Sequence, residues 1–106
     1  MSEDVTPGFA VLYRWRIRAG DEAVFKEAWT AVTLRLKRER GALGSRLHRC
    51  DDGGWAAYAQ WPSREHWEAS RAQGSVDDEA SARMNACIEH AAPPLPLEPE
   101  ADYLDR

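Results

Sequence analysis

The sequence has few of the residue patterns that mark metal, haem or flavin proteins. It contains two cysteines, Cys50 and Cys87, among 106 residues. Their spacing matches no metal or redox motif, so we expect two reduced, partly buried thiols. There is no HxxxH or CxxC pair, no carboxylate–histidine pair at helical spacing and no glycine-rich phosphate loop. We therefore expect the protein to bind no metal, haem or flavin cofactor.

The sequence also lacks a net positive charge and long apolar runs. The formal net charge is −4, which disfavours a dedicated nucleic-acid-binding protein. No apolar run approaches the ~18 residues of a membrane span. The first residues, MSEDVTPG, are acidic and lack the apolar centre of a signal peptide. We expect a cytoplasmic protein with neither a nucleic acid nor a membrane as its partner.

Tryptophan, by contrast, is abundant, with five residues in this short chain. Each ring can bury roughly 150–250 Å², so the five could supply much of a hydrophobic core. The length suits a single domain over residues 1–106. We expect a flexible N-terminus over residues 1–7, a core over 8–92, and an edge strand and tail containing prolines over 93–106.

The first part of the chain predicts a strand followed by a helix. Residues 9–18 alternate between a strongly apolar face and a mixed face, as in a strand. Asp21 is a suitable helix N-cap, and Gly41 can take the left-handed conformation that ends a helix. The helix between them carries an apolar stripe with spacings of four, three and four: Phe25, Trp29, Val32 and Leu36. The basic run Arg35–Arg40 lies at its C-terminal end, where it suits the dipole and is expected to be solvated.

The middle of the chain predicts a hairpin and then a second helix. Residues 44–50 and 55–61 form strands around the turn sequence DDGG. Pro62 cannot donate to a sheet ladder and ends the third strand. Ser63 is the expected N-cap of the next helix, with Pro62 and Trp67 at the positions of a hydrophobic staple.

The last third predicts a broken helix and an edge strand. Gly74-Ser75 interrupts the second helix, and a further helical segment with an apolar stripe continues to Ala91, before Pro93-Pro94. Residues 95–103 alternate again, and their prolines confine them to a sheet edge.

This order of elements predicts an α+β, ferredoxin-like split βαβ fold, a four-stranded antiparallel sheet with helices on one face. The other face would stay bare in a monomer. It combines Leu12 and Tyr58 with positively charged or basic side chains: Arg14, Arg16, Arg46 and His48. Such a face suits a second copy of the chain better than water, so we expect a homodimer that closes into an α+β barrel.

Three segments resemble the antibiotic biosynthesis monooxygenase family of dimeric α+β barrels. They are the GALGSRLHR lead-in (Gly41–Arg49), the AYAQW strand and the WPSREHW corner, within a similarity from about Phe9 to Ile88. The resemblance implies a ligand cavity between sheet and helices and no need for flavin, metal or nicotinamide. The family includes quinone-forming monooxygenases of polyketide tailoring, in which a deprotonated phenolic substrate reduces dioxygen itself, and haem-degrading enzymes.

The resemblance also implies site residues. Trp61 matches the tryptophan that ends the third strand, and Trp67 matches an aromatic residue near the start of the following helix. Tyr13 and Ala57 stand where family enzymes often carry an asparagine, so the amide is missing. Arg83 matches an arginine of the later helix, with Arg71 near the position of the histidine in haem-degrading relatives. The implied catalytic residues are Trp61, Tyr13 and Arg83, and the implied substrate-binding residues are Trp15, Trp29, Ala57 and Trp67.

Three functions remain open at the level of sequence. The first is a cofactor-independent monooxygenase that oxidises a small aromatic or phenolic, polyketide-like substrate, favoured by Trp61 and Arg83. The second is a non-catalytic module that binds a small aromatic or acidic metabolite, favoured by the missing asparagine. The third is an isomerase or lyase of the same fold that uses Tyr13 or His48 as its base. The aromatic residues also have a purely structural interpretation, because the same side chains would fill a core.

Overall fold

A computed structural model of the chain describes residues 8–104. Its elements, in order, are β1 (Phe9–Ile17), α1 (Glu22–Glu39), β2 (Gly44–Arg49), β3 (Trp55–Trp61), α2 (Arg64–Ala72), α3 (Asp78–Ala86), β4 (Ile88–Ala91) and β5 (Leu95–Leu97). The flexible segment expected over residues 1–7 lies outside the described residues. None of the helices within residues 8–104 is both long enough and apolar enough to cross a membrane.

The strands form one antiparallel sheet in the order β2-β3-β1-β4, with β5 also paired to β1. This is the predicted α+β, ferredoxin-like arrangement. The long central pair runs from Phe9 opposite Trp61 to Trp15 opposite Trp55. The predicted alternation therefore places aromatic residues of both strands on one face, which we call the inner face, and the helices cover it.

The end of the chain differs from the prediction. The third helix stops at Ala86 instead of continuing to Ala91, and residues 88–91 form β4. β4 pairs with Trp15–Ile17, whereas β5 pairs with Ala10–Leu12. Two short strands thus share the edge of β1 that one strand was expected to occupy, and Pro93-Pro94 connects them. The unpaired backbone groups along β1 explain the change, since a strand can satisfy them and a continued helix cannot.

The helix boundaries follow the expected local signals, with one difference at the first helix. Ser63 accepts a hydrogen bond from the His66 backbone N–H and caps α2, and Gly41 has a positive φ of 82° after α1. Asp21 occupies the predicted cap position of α1, but its side chain makes no capping hydrogen bond. Instead, the Glu22 carboxylate accepts from the Gly20 N–H at 3.0 Å and closes the turn before the helix.

The core consists of two aromatic clusters between the inner face and the helices. The first contains Phe9, Val11, Ala59, Trp61 and Trp67, and the second contains Phe25, Trp55 and Cys87. Tyr13 and Leu36 are partly buried against the first, and Trp15 and Met84 against the second. The space where the two clusters meet holds the cavity described next.

Candidate functional site

A cavity of about 300 Å³ lies between the inner face of the sheet and the helices. Its walls come from β1, β3, α1, α3 and the start of β2, and they comprise Tyr13, Trp15, Trp29, Val32, Thr33, Leu36, Ala42, Gly44, Ser45, Ala59, Trp61 and Met84. None of these described lining residues carries a charge at neutral pH. A cavity of this size, mostly apolar with a few polar groups, is typical of sites for small organic molecules.

The floor of the cavity is the central strand pair. Tyr13, Trp15, Ala59 and Trp61 line it, because alternate residues of β1 and β3 face the helices. Ala59 has a small side chain beside the two large indoles, which leaves volume for a ligand. Ala57 is fully buried and does not line the cavity. It lies directly opposite Tyr13 in the sheet, so the two positions matched to the missing asparagine are cross-strand neighbours.

Tyr13 is the lining residue with the most defined polar environment. The indole Nε1–H of Trp67 donates to its hydroxyl oxygen at 3.0 Å, and its ring stacks on Trp15 with centroids 5.9 Å apart. Burial raises the pKa of Tyr13 above its ordinary value, although the Trp67 hydrogen bond and the positive charge of Arg71 oppose the shift. The hydroxyl is therefore neutral at physiological pH and suits the role of hydrogen-bond donor, and a role as base is disfavoured.

Trp61 is a second lining residue that carries a hydrogen-bond donor. It is 3% exposed, and within residues 8–104 no acceptor pairs with its indole N–H. The Tyr13 hydroxyl hydrogen also has no acceptor in the described part of the chain. Two donors in apolar surroundings can stabilise negative charge on a bound oxygen atom far better than they would in water.

The sequence predicted only some of the residues of α1 and α3 that line the cavity. Trp29, Val32 and Leu36 belong to the predicted apolar stripe, and only Trp29 was predicted to bind a ligand. Thr33 follows Trp29 by four residues, and that helical spacing is the signal that could have identified it. Met84 of α3 could not be assigned to the cavity without the packing of α1 against α3.

Four further residues singled out from the sequence lie away from the cavity. Arg83 is exposed and its guanidinium lies 3.4 Å from the Glu27 carboxylate. Trp67 packs behind the cavity wall, with its ring 5.6 Å from that of Phe9, and reaches the site only through Tyr13. The Arg71 guanidinium lies over the Trp67 ring at 4.9 Å. His48 is exposed on the opposite face of the sheet, which separates it from this cavity.

Other recesses of the described structure differ from this cavity in position and lining. A wider recess of about 760 Å³ lies on the outer face of the sheet, along Arg46, His48, Tyr58 and Gln60. Within residues 8–104, no three histidine, cysteine or acidic side chains come close enough together to hold a metal ion. The uncharged aromatic cavity is therefore the candidate site.

Known structures share this architecture over almost the whole chain. The cofactor-independent oxygenase SnoaB from Streptomyces nogalater superimposes with a TM-score of 0.77 at 14% identity, covering 94% of this chain and all of its own. Rv0793 from Mycobacterium tuberculosis gives 0.72 at 18% identity, with coverages of 93% and 100%. A protein from Caulobacter crescentus, described as an antibiotic biosynthesis monooxygenase, gives 0.73 at 16% identity, with coverages of 92% and 93%.

Sequence comparison assigns the family directly. No curated protein matches the chain significantly. The family model for antibiotic biosynthesis monooxygenases, however, matches residues 8–86, which include β1 through α3 and every residue that lines the cavity. The chain belongs to the antibiotic biosynthesis monooxygenase family.

Proposed function

We propose that the protein is a cofactor-independent monooxygenase that oxidises a small aromatic or phenolic, polyketide-like substrate with dioxygen in the cavity under the helices. The observation that carries this proposal is the cavity itself. Its described lining is uncharged and includes four aromatic side chains, and two of these, Tyr13 and Trp61, carry hydrogen-bond donors that have no acceptor within residues 8–104. Family membership and the shared fold of SnoaB, a cofactor-independent oxygenase, support the same activity.

The reaction needs no external reductant. A phenolate gives an electron to dioxygen, and the resulting pair recombines with a new carbon–oxygen bond to form a hydroperoxide. The O–O bond then breaks as the proton of the same carbon leaves, so a phenol and one dioxygen become a quinone and one water. All electrons come from the substrate, and the protein contributes orientation, a dry environment and stabilisation of negative charge.

Tyr13 and Trp61 have defined roles in this proposal. Their O–H and N–H groups donate to oxygen atoms of the substrate that gain negative charge as it ionises and reacts. Trp67 is a positioning residue, because its indole N–H occupies a lone pair of the Tyr13 hydroxyl and fixes the direction of that group. We do not include Arg83, since its guanidinium pairs with Glu27 at the surface.

The cavity offers no charged base. The substrate must therefore lose its phenolic proton to water, and the rate is expected to rise with pH up to the phenolic pKa of the substrate. The same feature disfavours an isomerase or lyase that depends on Tyr13 or His48. Burial keeps Tyr13 protonated, and His48 lies on the other face of the sheet. A non-catalytic binding module is the second candidate, favoured by the tyrosine–alanine pair that replaces the family asparagine.

Oxygen consumption tests the proposal. The purified protein, treated with a chelator and free of visible absorption, is supplied with a panel of polyphenols in an oxygen electrode. We expect faster oxygen uptake than in buffer with heat-denatured protein, one dioxygen consumed per quinone, and one ¹⁸O atom from ¹⁸O₂ in the product. Tight binding of a polyphenol without accelerated uptake would leave the binding module as the function.

A further inference from the structure

A second recess adjoins the cavity, and we call it the mouth. This recess has a volume of about 180 Å³, and it shares Trp29, Thr33, Gly44 and Ser45 with the cavity. Its remaining walls include Thr30, Leu34 and Lys37. Because four residues belong to both, a ligand seated in the cavity can extend between α1 and the start of β2 into this mouth.

The mouth differs chemically from the interior. The described lining of the interior is uncharged, whereas Lys37, an exposed and positively charged residue, belongs to the lining of the mouth. Two hydroxyl groups also lie there, those of Thr33 and Ser45, and neither has a hydrogen-bond partner within residues 8–104. The neighbouring Thr30 hydroxyl is already used, because it donates to the Lys26 carbonyl at 2.8 Å.

Lys37 is also distinct within the basic run at the end of α1. Arg35 pairs with Glu39 and Asp77, Arg38 pairs with Glu39, and Arg40 donates to backbone carbonyls and to a serine. In the portion of the chain that the structure describes, Lys37 has no ion pair and no hydrogen-bond partner. Since Lys37 is unpaired within residues 8–104, its positive charge beside the cavity is available to an anionic ligand.

Helix geometry aligns these groups into one binding face. Trp29, Thr33 and Lys37 follow one another at intervals of four residues on α1, so they lie along one side of the helix. In that order they present an aromatic surface, a hydroxyl and a cation. An aromatic ring against Trp29 with an acidic substituent directed outward would meet Thr33 and Lys37 in turn.

We propose that this mouth is a subsite for the carboxylate of an aromatic acid, with Lys37, Thr33 and Ser45 as its ligands. One ammonium group and two hydroxyl groups match the single charge and two oxygen atoms of a carboxylate, whereas they would balance only one of the two charges of a phosphate dianion. The inference rests on the proposed function, in which the aromatic part of the same ligand occupies the cavity. The substrate class then becomes a phenol with a carboxylate at the end opposite the reacting hydroxyl.

Two matched probes test the subsite. The compounds are 6-hydroxy-2-naphthoate and 2-naphthol, which share a ring system and a hydroxyl and differ in the carboxylate. Their binding is measured by calorimetry at pH 7 with the wild type, Lys37→Gln, Lys37→Arg and Lys26→Gln. Lys26 is the only other lysine and lies on the same helix outside the cavity and mouth linings, so it controls for the loss of charge.

We expect Lys37→Gln to weaken naphthoate binding about three- to fivefold, the range expected for a solvent-exposed ion pair. Naphthol binding should stay within about twofold, Lys37→Arg should retain naphthoate affinity, and Lys26→Gln should behave as the wild type. Added salt should weaken the naphthoate complex and leave the naphthol complex unchanged.

Two results would overturn the subsite. If Lys37→Gln and Lys26→Gln affect naphthoate equally while naphthol still binds the wild type, the carboxylate subsite fails and the cavity proposal stands. If the wild type binds neither probe, the subsite fails together with the proposed aromatic cavity. Circular dichroism of each variant separates lost binding from lost folding.

Discussion

Tyr13 and Trp67 depend on each other in the structure. The Trp67 indole is 5% exposed and its N–H has the Tyr13 oxygen as partner, so removal of either side chain leaves a buried polar group of the other unpaired. Trp61 lies in the same hydrophobic cluster but borders the cavity. At the scale of single residues, we therefore assign a role in stability to Trp67 and a role in ligand binding to Trp61.

The two tryptophans should respond differently to substitution. We expect Trp67→Ala to lower the free energy of unfolding by about 3 kcal/mol, because it empties a buried aromatic position beside Phe9. Trp61→Phe should cost only about 1 kcal/mol, since most apolar area is kept, but it should weaken ligand binding by removing a donor. Denaturant unfolding and ligand titration of both variants measure the two effects. A severely unfolded Trp61→Phe together with a silent Trp67→Ala would reverse the assignment.

Tyr13→Phe should separate catalysis from packing. The phenylalanine ring keeps the stacking on Trp15, and the loss of the hydroxyl removes one donor and leaves the Trp67 N–H unpaired. We expect turnover of a polyphenol to fall about 10²-fold, as for other single oxyanion donors, while the free energy of unfolding falls by about 1 kcal/mol. Oxygen uptake and denaturant titration provide the two values. Unchanged turnover in a folded variant would remove Tyr13 from the mechanism.

The raised pKa of Tyr13 also has a consequence for stability at high pH. Burial favours the neutral phenol in the folded state. The stability that the protein has with Tyr13 protonated is therefore fully present below the unfolded pKa of about 10, and it is lost as pH rises through the higher folded pKa. The difference in unfolding free energy between wild type and Tyr13→Phe should stay constant from pH 7 to 9. It should then shift against the wild type above pH 10. A difference that is flat throughout would show that ionisation of Tyr13 is not coupled to folding.

At the scale of elements, Arg40 joins the end of α1 to the turn between α2 and α3. Its guanidinium donates to the Ser70 carbonyl at 2.8 Å, to the Ser70 hydroxyl at 3.1 Å and to the Gly74 carbonyl at 3.1 Å. Ser70 is buried, so these bonds satisfy backbone and side-chain groups that have little access to water. Arg40 thereby fixes the turn at Gly74, where α2 ends, against α1, the helix that lines the cavity.

Arg40→Met should therefore destabilise the fold although the residue is partly exposed. The methionine keeps much of the apolar stem, and the expected loss of about 2 kcal/mol comes from the missing charged hydrogen bonds. Arg38→Met is the matched control. Its exposed pair with Glu39 should contribute less than 1 kcal/mol. Chemical denaturation measures the free energy of unfolding of both variants. Equal decreases in the two variants would mean that Arg40 does not stabilise the turn.

At the scale of the whole molecule, no helix within residues 8–104 covers the outer face of the sheet. One row across it contains Arg46, Tyr58, Leu12 and Leu95, in which adjacent residues are paired in the sheet. Leu12 and Tyr58 are half-buried, and Leu95 is 53% exposed. No helix within residues 8–104 packs on this row, so we retain the proposal that a second copy of the chain covers it.

Leu12→Glu should convert the proposed dimer to a monomer, because an ionised carboxylate at the centre of the interface would lose water without gaining a partner. Light scattering after size exclusion, at micromolar concentration, is the measurement. Val24→Glu replaces an apolar residue that is 46% exposed on α1 and should stay dimeric. A wild type that is monomeric at this concentration would exclude dimerisation through the outer face.

The sequence by itself determined the fold class and the floor of the site. Alternation in residues 9–17 and 55–61, the DDGG turn and the Pro62–Ser63 corner each act through nearest neighbours in the chain, so they indicate which aromatic residues share a face. Trp15, Trp29 and Trp61 were predicted as site residues on this basis or from the family resemblance, and they do line one cavity.

Only the tertiary structure decided which side chains meet across the cavity and which secondary structure residues 88–97 adopt. The apolar stripe of residues 80–91 is compatible with a helix. Residues 88–91 nevertheless form a strand, because the backbone groups along the edge of β1 require hydrogen-bond partners. The hydrogen bond between Tyr13 and Trp67 joins residues 54 positions apart, and no local pattern records it. Likewise, Lys37 becomes a candidate ligand because, within residues 8–104, its arginine neighbours have ion-pair or hydrogen-bond partners and Lys37 has none.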